Sequence, residues 1–577
     1  MPLPQELFPY PEVRPFQDEL MQVVFTSDVM LASVPTGAGK SIASLCGFLA
    51  DRMDGEKVLV LTRTKSQAEI FLREARAISE HACKLLAVHL YSKQELCPLF
   101  RDEETSYEEF LELCRLSRCR YRETFRSRLS EIEELGERRV LPPASMLSEY
   151  GCPHAVLLEL ARHADVVIAS YPYLLSPALR ASFLGRLGVE LEQLLVIVDE
   201  AHNLHAQEGR SLSRRTVMLA HRESGMDVLE ELLAQFSGRD ALLAASELVS
   251  LSEAEALYRA GVEQLRRRLK RGRKVSYTYR VAVFLRSALA AEEEENWLFF
   301  RQDERLHLKP LFPSEHLKPL RRVRKLLLMS GTLEPLELYR EMFGLEGAEL
   351  YSCPSLYSRN TLYLALRSGL STAMGERERR GEELWRSYAS AIGKIHSATP
   401  NTTLAFFPSY TIMHSVAEHL PGALVEPRSS GELGEFLKHV RTPERKLVLG
   451  VAGGKLSEGV EFTLPSRDGR RSVVGSVVIA GLPFPVPDFE FELRRKLYEE
   501  RYSPARAYAY LLLIPMLNRV LQSAGRAVRS SRDRACVIFL DERLEHLRHL
   551  PEHIRHELTP LELEELVEEV RWFHAHP

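Results

Sequence analysis

The stretch Val34-Pro35-Thr36-Gly37-Ala38-Gly39-Lys40-Ser41 decides the fold of this chain. It follows the apolar run Val29-Met30-Leu31-Ala32, which is typical of a buried parallel strand. It precedes Ile42 to Met53, where apolar residues recur at helical spacing. A strand, a glycine-bearing turn and a helix form the setting in which a loop binds phosphate groups. The stretch therefore predicts an α/β fold with a phosphate-binding loop.

The residue types in this loop suit a nucleoside triphosphate. Glycines at 37 and 39 let backbone N–H groups point inward, so residues Thr36 to Gly39 are expected to surround the phosphates. Lys40 is expected to reach the β- and γ-phosphates, and the Ser41 hydroxyl to bind Mg²⁺. A plain glycine turn that caps a helix is the alternative, because Val34 stands where the usual pattern has its first Gly.

Length and composition limit the classes of protein to consider. A chain of 577 residues is too long for one ordinary core, and roughly three or four domains are expected. Its 45% hydrophobic and 27% charged residues are typical of a globular protein, and the net charge of −4 gives no overall basic field. A nucleic-acid site must then be a local concentration of Lys and Arg. With neither a long apolar run nor a signal pattern, we expect a cytoplasmic protein without membrane contact.

Another apolar run, later in the chain, ends in carboxylates. Leu194 to Val198 reads as a buried strand, and Asp199-Glu200-Ala201-His202 follows it directly. A carboxylate at the end of a strand beside a phosphate loop is where Mg²⁺ is held, so we assign Asp199 to the metal. Glu200 is expected to act as the general base that orients water. His202 is expected to link the state of the nucleotide to a facing domain.

Two other stretches add polar groups near the predicted site. Gln17 lies just before the strand of the phosphate loop, and its amide could recognise an adenine edge, although a solvent-facing Gln at a helix start is an equal alternative. The second strand, Val58 to Leu61, leads into Thr62, Arg63 and Thr64, which could contact a sugar-phosphate backbone. A simple capped strand end is the alternative for this stretch.

Four of the eight cysteines fall in one segment. They are Cys97, Cys114, Cys119 and Cys152, separated by 16, 4 and 32 residues. Zinc sites usually show two closely spaced pairs, whereas this set has one loose pair and two distant members. The spacing favours a four-cysteine iron–sulfur cluster, while a zinc site and unrelated buried thiols remain open.

The C-terminal half repeats the α/β rhythm and carries paired arginines. If the stretch from 522 to 529 is helical, Gln522, Arg526 and Arg529 share one face. Two guanidinium groups presented together suit a γ-phosphate bound in another domain, and a surface arginine face is the alternative.

Taken together, these motifs resemble the XPD family of superfamily 2 DNA helicases, with the DinG and FANCJ helicases as more distant relatives. The resemblance covers nearly the whole chain, and its matching stretches are Thr36–Ser41, Thr62–Gln67, Asp199–His202, Ser330–Leu333, Phe406–Tyr410, Gly453–Glu461, Gly481–Pro485 and Gln522–Arg529. Glu461 stands where the family usually has Asp.

The resemblance implies two RecA-like motor domains with an inserted iron–sulfur domain and an inserted helical arch domain. The implied boundaries are 1–85, 155–205 and 311–345 for the first motor domain, 86–154 for the iron–sulfur domain, 206–310 for the arch and 346–577 for the second motor domain. It further implies a [4Fe-4S] cluster on the four cysteines, and nucleotide contacts that include Gly459, Glu461, Gln522, Arg526 and Arg529.

The function expected from these features is ATP-dependent DNA unwinding. The resemblance implies 5′ to 3′ movement on single-stranded DNA, action in DNA repair, and single-stranded and forked DNA as partners of a monomer. An ATP-gated DNA clamp or scaffold without strand separation is the alternative, and the complete set of Asp199, Glu200, Arg526 and Arg529 argues against it. An RNA helicase or a nuclease has less support, since no further carboxylate cluster of the nuclease type is evident.

Overall fold

The computed structural model describes most of the chain. The described residues are 2–14, 16–35, 37–101, 105–205, 209–272, 274–353, 360–457, 460–466, 469–528 and 532–576. Three residues predicted to contact the nucleotide, Thr36, Gly459 and Arg529, lie outside these ranges.

The β-strands of the described residues, in chain order, are β1 (Val29–Ser33), β2 (Lys57–Thr62), β3 (Ala87–His89), β4 (Val166–Ser170), β5 (Leu194–Asp199), β6 (Arg210–Ser213), β7 (Ala241–Leu242), β8 (Trp297–Gln302), β9 (Arg305–Pro310), β10 (Lys325–Ser330), β11 (Glu349–Ser352), β12 (Thr361–Leu366), β13 (Thr402–Phe407), β14 (Leu424–Val425), β15 (Leu447–Val451), β16 (Thr463–Ser466), β17 (Gly469–Ser472), β18 (Val474–Ile479), β19 (Ala535–Phe539) and β20 (Thr559–Leu561).

The α-helices of the same residues are α1 (Gln17–Thr26), α2 (Lys40–Asp51), α3 (Lys65–His81), α4 (Tyr107–Leu116), α5 (Arg120–Ser127), α6 (Leu129–Glu137), α7 (Pro153–His163), α8 (Pro172–Leu175), α9 (Pro177–Leu187), α10 (Arg214–Ser224), α11 (Val228–Ala234), α12 (Leu251–Leu269), α13 (Tyr277–Glu292), α14 (Pro313–His316), α15 (Leu336–Met342), α16 (Met374–Arg380), α17 (Glu382–Ala398), α18 (Tyr410–Ala417), α19 (Ser430–Val440), α20 (Phe489–Arg501), α21 (Pro504–Tyr508), α22 (Ile514–Ala524), α23 (Glu552–Glu557) and α24 (Leu563–Ala575).

Two parallel sheets form the framework. The first has the strand order β11-β1-β10-β5-β2-β4-β3, and the second β14-β15-β13-β18-β19-β12-β20. Every residue of β2, β5 and β10 is buried, because helices cover both faces of the first sheet. In such sheets ligands bind beyond the carboxyl ends of the strands, so the loops after β1, β2, β5 and β10 meet at one edge.

The segment between β5 and β10 contains a small antiparallel sheet as well as helices. Its strands follow the order β6-β9-β8-β7, with β8 and β9 paired along their whole length. The inserted helical arch that the resemblance implied therefore also contains four short strands. In β9 the residues alternate between exposed or half-buried and buried, a period of two that marks a strand with one face on a core.

Two strands lie across the domain boundaries that the resemblance implied. The strand β11 pairs with β1 of the first sheet, although residue 346 was the predicted start of the second motor domain. Likewise β3 pairs with β4 at the edge of the first sheet, although it falls in the predicted iron–sulfur segment. In both cases backbone pairing decides the assignment. The remaining boundaries stay a prediction.

The cysteine-bearing segment contacts the arch through a buried charge. Phe110 and Leu113 of α4 pack in one cluster with Leu265 of α12 and Tyr279 of α13. Beside them Glu109, with no exposed surface, pairs with Arg280 at 2.8 Å. A charge buried this deeply needs its partner, so this contact fixes the arch against α4.

Among the described residues, no helix combines the length and apolar character needed to span a membrane.

The imidazole of His154 generates a prediction about acid stability. Burial lowers the pKa of His154 from 6.5 to about 4, and its Nε2 lies 3.0 Å from the Tyr173 hydroxyl. Between pH 6.5 and about 4, His154 is protonated in the unfolded chain but neutral in the folded chain. The folded state therefore loses stability as the pH falls through this range. We expect the drop in melting temperature between about pH 7 and pH 5 to be smaller in His154→Gln than in the unmodified protein.

The exposed residue His556 supplies the control, since His556→Gln should leave the acid-induced drop unchanged. Melting curves followed by circular dichroism measure both variants. An equal drop in His154→Gln and the unmodified protein would contradict a neutral, buried His154.

Candidate active site

The phosphate loop has the backbone that the sequence predicted. Gly37 and Gly39 take left-handed conformations, with φ of 89° and 77°, and Lys40 begins α2. A Cβ atom at position 39 would lie 2.1 Å from Gln17 Nε2. Both the backbone angle and the close approach therefore require glycine at this position.

Gln17 supports the loop. The side chain is buried, its Nε2 donates to the Gly39 carbonyl at 3.2 Å, and its Oε1 accepts from the Arg14 N–H at 3.0 Å. The Arg14 guanidinium in turn donates to the Gly37 carbonyl at 2.6 Å. Both ends of the amide thus fix the loop, an arrangement not foreseen from the sequence, and adenine recognition by Gln17 stays a prediction.

A cavity of about 720 Å³ opens beside the loop. Its lining includes the rings of Phe8 and Tyr10, which lie 5.7 Å apart edge to face. It also includes Lys40, Ser41 and Asp199. Aromatic and charged side chains together suit the base and the phosphates of one nucleotide.

Lys40 brings the two predicted carboxylates together. Its Nζ lies 2.9 Å from Asp199 Oδ1 and 3.2 Å from Glu200 Oε1. Burial alone would lower the pKa of Lys40, but the carboxylates outweigh burial and raise it. Burial would raise the pKa of Glu200, yet the Lys40 cation lowers it well below the ordinary value. Lys40 and Glu200 are therefore charged, whereas burial raises the pKa of Asp199 despite the Lys40 cation beside it.

The donor set fits Mg²⁺ with a nucleotide present. Within the described ranges, no group of three or more His, Cys, Asp and Glu side chains could hold a metal by itself. Mg²⁺ in such sites takes one or two protein oxygens and completes its shell with phosphate oxygens and water. Ser41 and Asp199 line the same cavity and supply a hydroxyl and a carboxylate.

A chain of hydrogen bonds runs from Glu200 to the second sheet. Ser330, at the end of β10, donates its hydroxyl to Glu200 Oε2 at 2.9 Å. His202 Nδ1 lies 2.7 Å from the same hydroxyl, so this ring nitrogen donates. Its Nε2 can then accept from Gln522 Nε2 at 2.9 Å. Since Gln522 belongs to α22, the two sheets meet at the carboxylate site.

Arg526 lies just beyond α22, four residues after Gln522. Its guanidinium contacts loops of the second sheet: Nε donates to the Ser457 carbonyl at 3.0 Å and Nη1 to the Val460 carbonyl at 2.5 Å. Glu461 is exposed, and its carbonyl accepts from Arg441 at 2.7 Å. The structure brings together Lys40, Asp199, Glu200, His202 and Gln522.

Comparisons with known proteins agree with this geometry. A family model described as DEAD_2 matches residues 60–216, and one described as Helicase C-terminal domain matches residues 392–560. The ATP-dependent DNA helicase XPD of Sulfolobus acidocaldarius is 25% identical over 92% of this chain and 95% of its own length. A solved structure titled XPD_Helicase has a TM-score of 0.72 and 24% identity, covering 96% of this chain and all of the other. This chain belongs to the XPD family of superfamily 2 helicases.

The match extends to a eukaryotic relative over almost the full length. The XPD/RAD3 helicase subunit of general transcription and DNA repair factor IIH from Saccharomyces cerevisiae is 22% identical over 96% of this chain and 90% of its own length. The two parallel sheets are accordingly the two RecA-like motor domains of an XPD-family helicase, joined here by Gln522 and His202.

The four cysteines of this XPD-family chain lie within electrostatic reach of one another. Burial raises the pKa of Cys97, and the thiols of Cys114 and Cys152 raise it further. Burial also raises the pKa of Cys152, to which Cys114 and Cys119 add. Four cysteine thiols are the donor type that an iron–sulfur cluster uses, but the described side chains form no ready-made metal site, and the cluster stays a prediction.

Gly39 generates a prediction about nucleotide affinity. In Gly39→Ala the left-handed backbone becomes strained and the new methyl group collides with Gln17 Nε2, so the loop or the Gln17 side chain that supports it must shift. We expect affinity for a fluorescent ATP analogue to fall by about 10-fold or more, measured by titration.

Gly55→Ala is the matched control. Gly55 has a φ of 84°, but its Cβ would meet only Gln193 Nε2, at 3.9 Å. Both variants bear the same backbone penalty of about 1 kcal/mol, so equal nucleotide affinity in the two would refute a specific role for Gly39.

Proposed function

We propose that this ATP-dependent DNA helicase moves 5′ to 3′ along single-stranded DNA and separates forked duplexes during DNA repair. The enzyme class follows from the family, whereas the direction, the fork substrate and the repair role are the proposal. One observation supports it above the others: the cluster of Lys40, Asp199 and Glu200 is joined to the second motor domain through Ser330, His202 and Gln522.

In the proposed reaction ATP lies in the 720 Å³ cavity with its base towards Phe8 and Tyr10. Lys40 would leave the carboxylates to bind the β- and γ-phosphates, while Ser41 and Asp199 hold Mg²⁺. The Lys40 cation lowers the pKa of Glu200, so the departure of Lys40 would make Glu200 more basic, and Glu200 would then accept the proton of the attacking water.

The second motor domain would supply the remaining charges. Cleft closure would bring Arg526, together with Arg529, to the γ-phosphate, where guanidinium groups stabilise the charge that develops in the transition state. Loss of the γ-phosphate would release this contact. Because His202 and Gln522 already touch, a small rotation about their contact suffices to open and close the cleft.

The two inserted segments would restrict the substrate to a single strand. The buried pair of Glu109 and Arg280 joins the cysteine-bearing segment to the arch, and Arg210 pairs with Glu108 at 3.0 Å across the same contact. Segments joined in this way at a point away from the sheet can enclose an opening. We propose that single-stranded DNA passes through it while the second strand is excluded.

Cys97, Cys114, Cys119 and Cys152 would hold the [4Fe-4S] cluster. When bound, the cluster supplies a rigid cross-link between α4, α5 and α7 in a segment too polar to build its own core. The chain's own residues support the sulfur atoms: Arg122 Nη2 lies 3.5 Å from Cys114 Sγ.

The decisive experiment for the motor uses Lys40→Ala. Removal of the ammonium leaves Asp199 and Glu200 in mutual repulsion and takes away the phosphate contact. We expect ATP hydrolysis and strand displacement to fall by about 100-fold or more, while DNA binding persists. Displacement is measured on forks with either a 5′ or a 3′ tail.

Each outcome of the strand-displacement assay tests one part of the proposed function. Displacement from 5′-tailed forks alone would support the proposed direction, and displacement from 3′-tailed forks would overturn it. ATP hydrolysis without displacement from either fork would favour the ATP-gated clamp. Retention of full activity in Lys40→Ala would exclude this cavity as the motor site.

Cys119→Ser tests the cluster. Serine is a poorer ligand for iron, so we expect anaerobically purified protein to lose its visible absorption and its bound iron and sulfide, and to lose unwinding, while binding ATP without DNA. Cys83→Ser is the matched control, because Cys83 is exposed and lies outside the set. Equal iron content in the two variants would remove Cys119 from the proposed ligands.

A further inference from the structure

Glu200 has an unusual backbone. It is one of the few residues other than glycine with a positive φ, 51°, among those described. Side chains favour this left-handed region poorly because Cβ crowds the backbone. The surroundings must therefore hold Glu200 in place, and such outliers cluster at sites where a side chain has to be aimed.

The main-chain carbonyl of Glu200 is the point at which it is held. It accepts the Asn203 N–H at 3.0 Å and the Asn203 side-chain Nδ2 at 3.0 Å. The third donor is the hydroxyl of Tyr171, whose one proton is shared between the Glu200 carbonyl at 3.1 Å and the Asp199 carbonyl at 2.6 Å. Three donors from two residues thus converge on the Glu200 carbonyl, and Tyr171 also holds the peptide that links Asp199 to Glu200.

Tyr171 belongs to a different part of the sheet edge. It follows β4 directly, whereas Glu200 follows β5, two strands away in the order β5-β2-β4. Its ring spans this gap beneath the carboxylates. Burial raises the pKa of the Tyr171 hydroxyl, and the charges of Asp199 and Glu200 raise it further, so the hydroxyl keeps its proton and remains a donor.

Asn203 is in turn held by a residue that follows β2, the strand between β5 and β4 in the sheet. Arg63, directly after β2, donates its Nη1 to Asn203 Oδ1 at 2.8 Å. The amide of Asn203 is therefore used at both ends, by Arg63 and by the Glu200 carbonyl. A group that contacts Arg63 can act on Glu200 through one intervening side chain.

We propose that Tyr171 and Asn203 are positioning residues for Glu200. Their hydrogen bonds to its carbonyl keep the left-handed backbone and thereby direct the carboxylate into the nucleotide cavity. Through Arg63 they also make its position sensitive to a phosphate backbone bound at the end of β2. This inference rests on the proposed function, in which Glu200 activates water and DNA lies along that edge.

The positioning role predicts that removal of the Tyr171 and Asn203 hydrogen-bond donors releases the backbone of Glu200. Without Tyr171 and Asn203 the Glu200 peptide can rotate to a more favourable φ, and its side chain then swings away from Ser330 and the cavity. Lys40 and Ser41 stand on another strand connection and keep their places. Hydrolysis should therefore slow while nucleotide affinity is retained.

Tyr171→Phe tests this directly, because it removes one oxygen and keeps the ring. We expect kcat for ATP hydrolysis with saturating single-stranded DNA to fall by about 10-fold, with KM for ATP within about two-fold of the unmodified value. Tyr173→Phe is the matched control and should match the unmodified enzyme. Tyr173 lies two residues further on, in α8, and its hydroxyl bonds to the Tyr91 carbonyl at 3.3 Å and to His154.

Asn203→Ala provides a second, independent variant. It removes the side-chain donor and the link to Arg63, so both kcat and the ratio of DNA-stimulated to DNA-free hydrolysis should fall. In the double variant the losses should be less than additive, since both act on one carbonyl. Nucleotide titration of each variant verifies that the cavity has folded.

The outcomes separate the two proposals. Unchanged kcat in Tyr171→Phe and Asn203→Ala, or a rise in KM alone, would overturn the positioning role even if the unmodified protein unwinds DNA. Fully additive losses would overturn the shared carbonyl. A kcat loss in both variants, in a protein that hydrolyses ATP without unwinding DNA, would support the positioning role while overturning the proposed helicase activity.

Discussion

The pairing of one buried ammonium with two buried carboxylates is the interaction on which the site depends. Lys40 comes from the helix after β1, and Asp199 and Glu200 from the end of β5, so their contact fixes the geometry between two strand ends. A charge removed from water is tolerated only beside its counter-charge. In the proposed reaction the carboxylates would hold a divalent cation in place of Lys40, and the Lys40 ammonium would then be free to bind phosphate.

From this cluster, contacts extend in two directions. Ser330 and His202 connect it to Gln522, so a hydrogen-bonded chain links the Glu200 carboxylate to the second motor domain. A buried hydrogen bond from the Tyr339 hydroxyl to Asn518 Oδ1, 2.9 Å long, joins the same two domains nearby. In the other direction, Asn203 and Tyr171 connect the cluster to the ends of β2 and β4. The cavity proposed for the nucleotide, the second motor domain and the sheet edge proposed for DNA therefore meet at the few residues around Glu200, a geometry that would suit coupling of hydrolysis to movement.

Short strands are the elements that local sequence patterns predicted least well in this chain. The stretch between β5 and β10 was expected, from the resemblance, to form a helical arch, yet it also builds the sheet β6-β9-β8-β7. These strands are two to six residues long, so the period of two in their sequence is weak. The strand β11, which follows the predicted boundary at residue 346, is four residues long, and only its pairing with β1 assigns it to the first sheet. Short strands acquire their identity from the neighbour they pair with.

The sequence by itself determined the α/β class, the phosphate loop, the carboxylates at the end of β5 and the family, because each depends on adjacent residues with a strong local pattern. Only the tertiary structure decided how distant stretches meet: the support of Gly39 by Gln17, the contact of Gln522 with His202 across 320 positions, and the convergence of Tyr171 and Asn203 on one carbonyl. Tyr171 in particular gave no signal in the sequence. A hydroxyl after a strand fits any loop, and its role depends on which strand lies two places away in the sheet, a property of chain topology rather than of local composition.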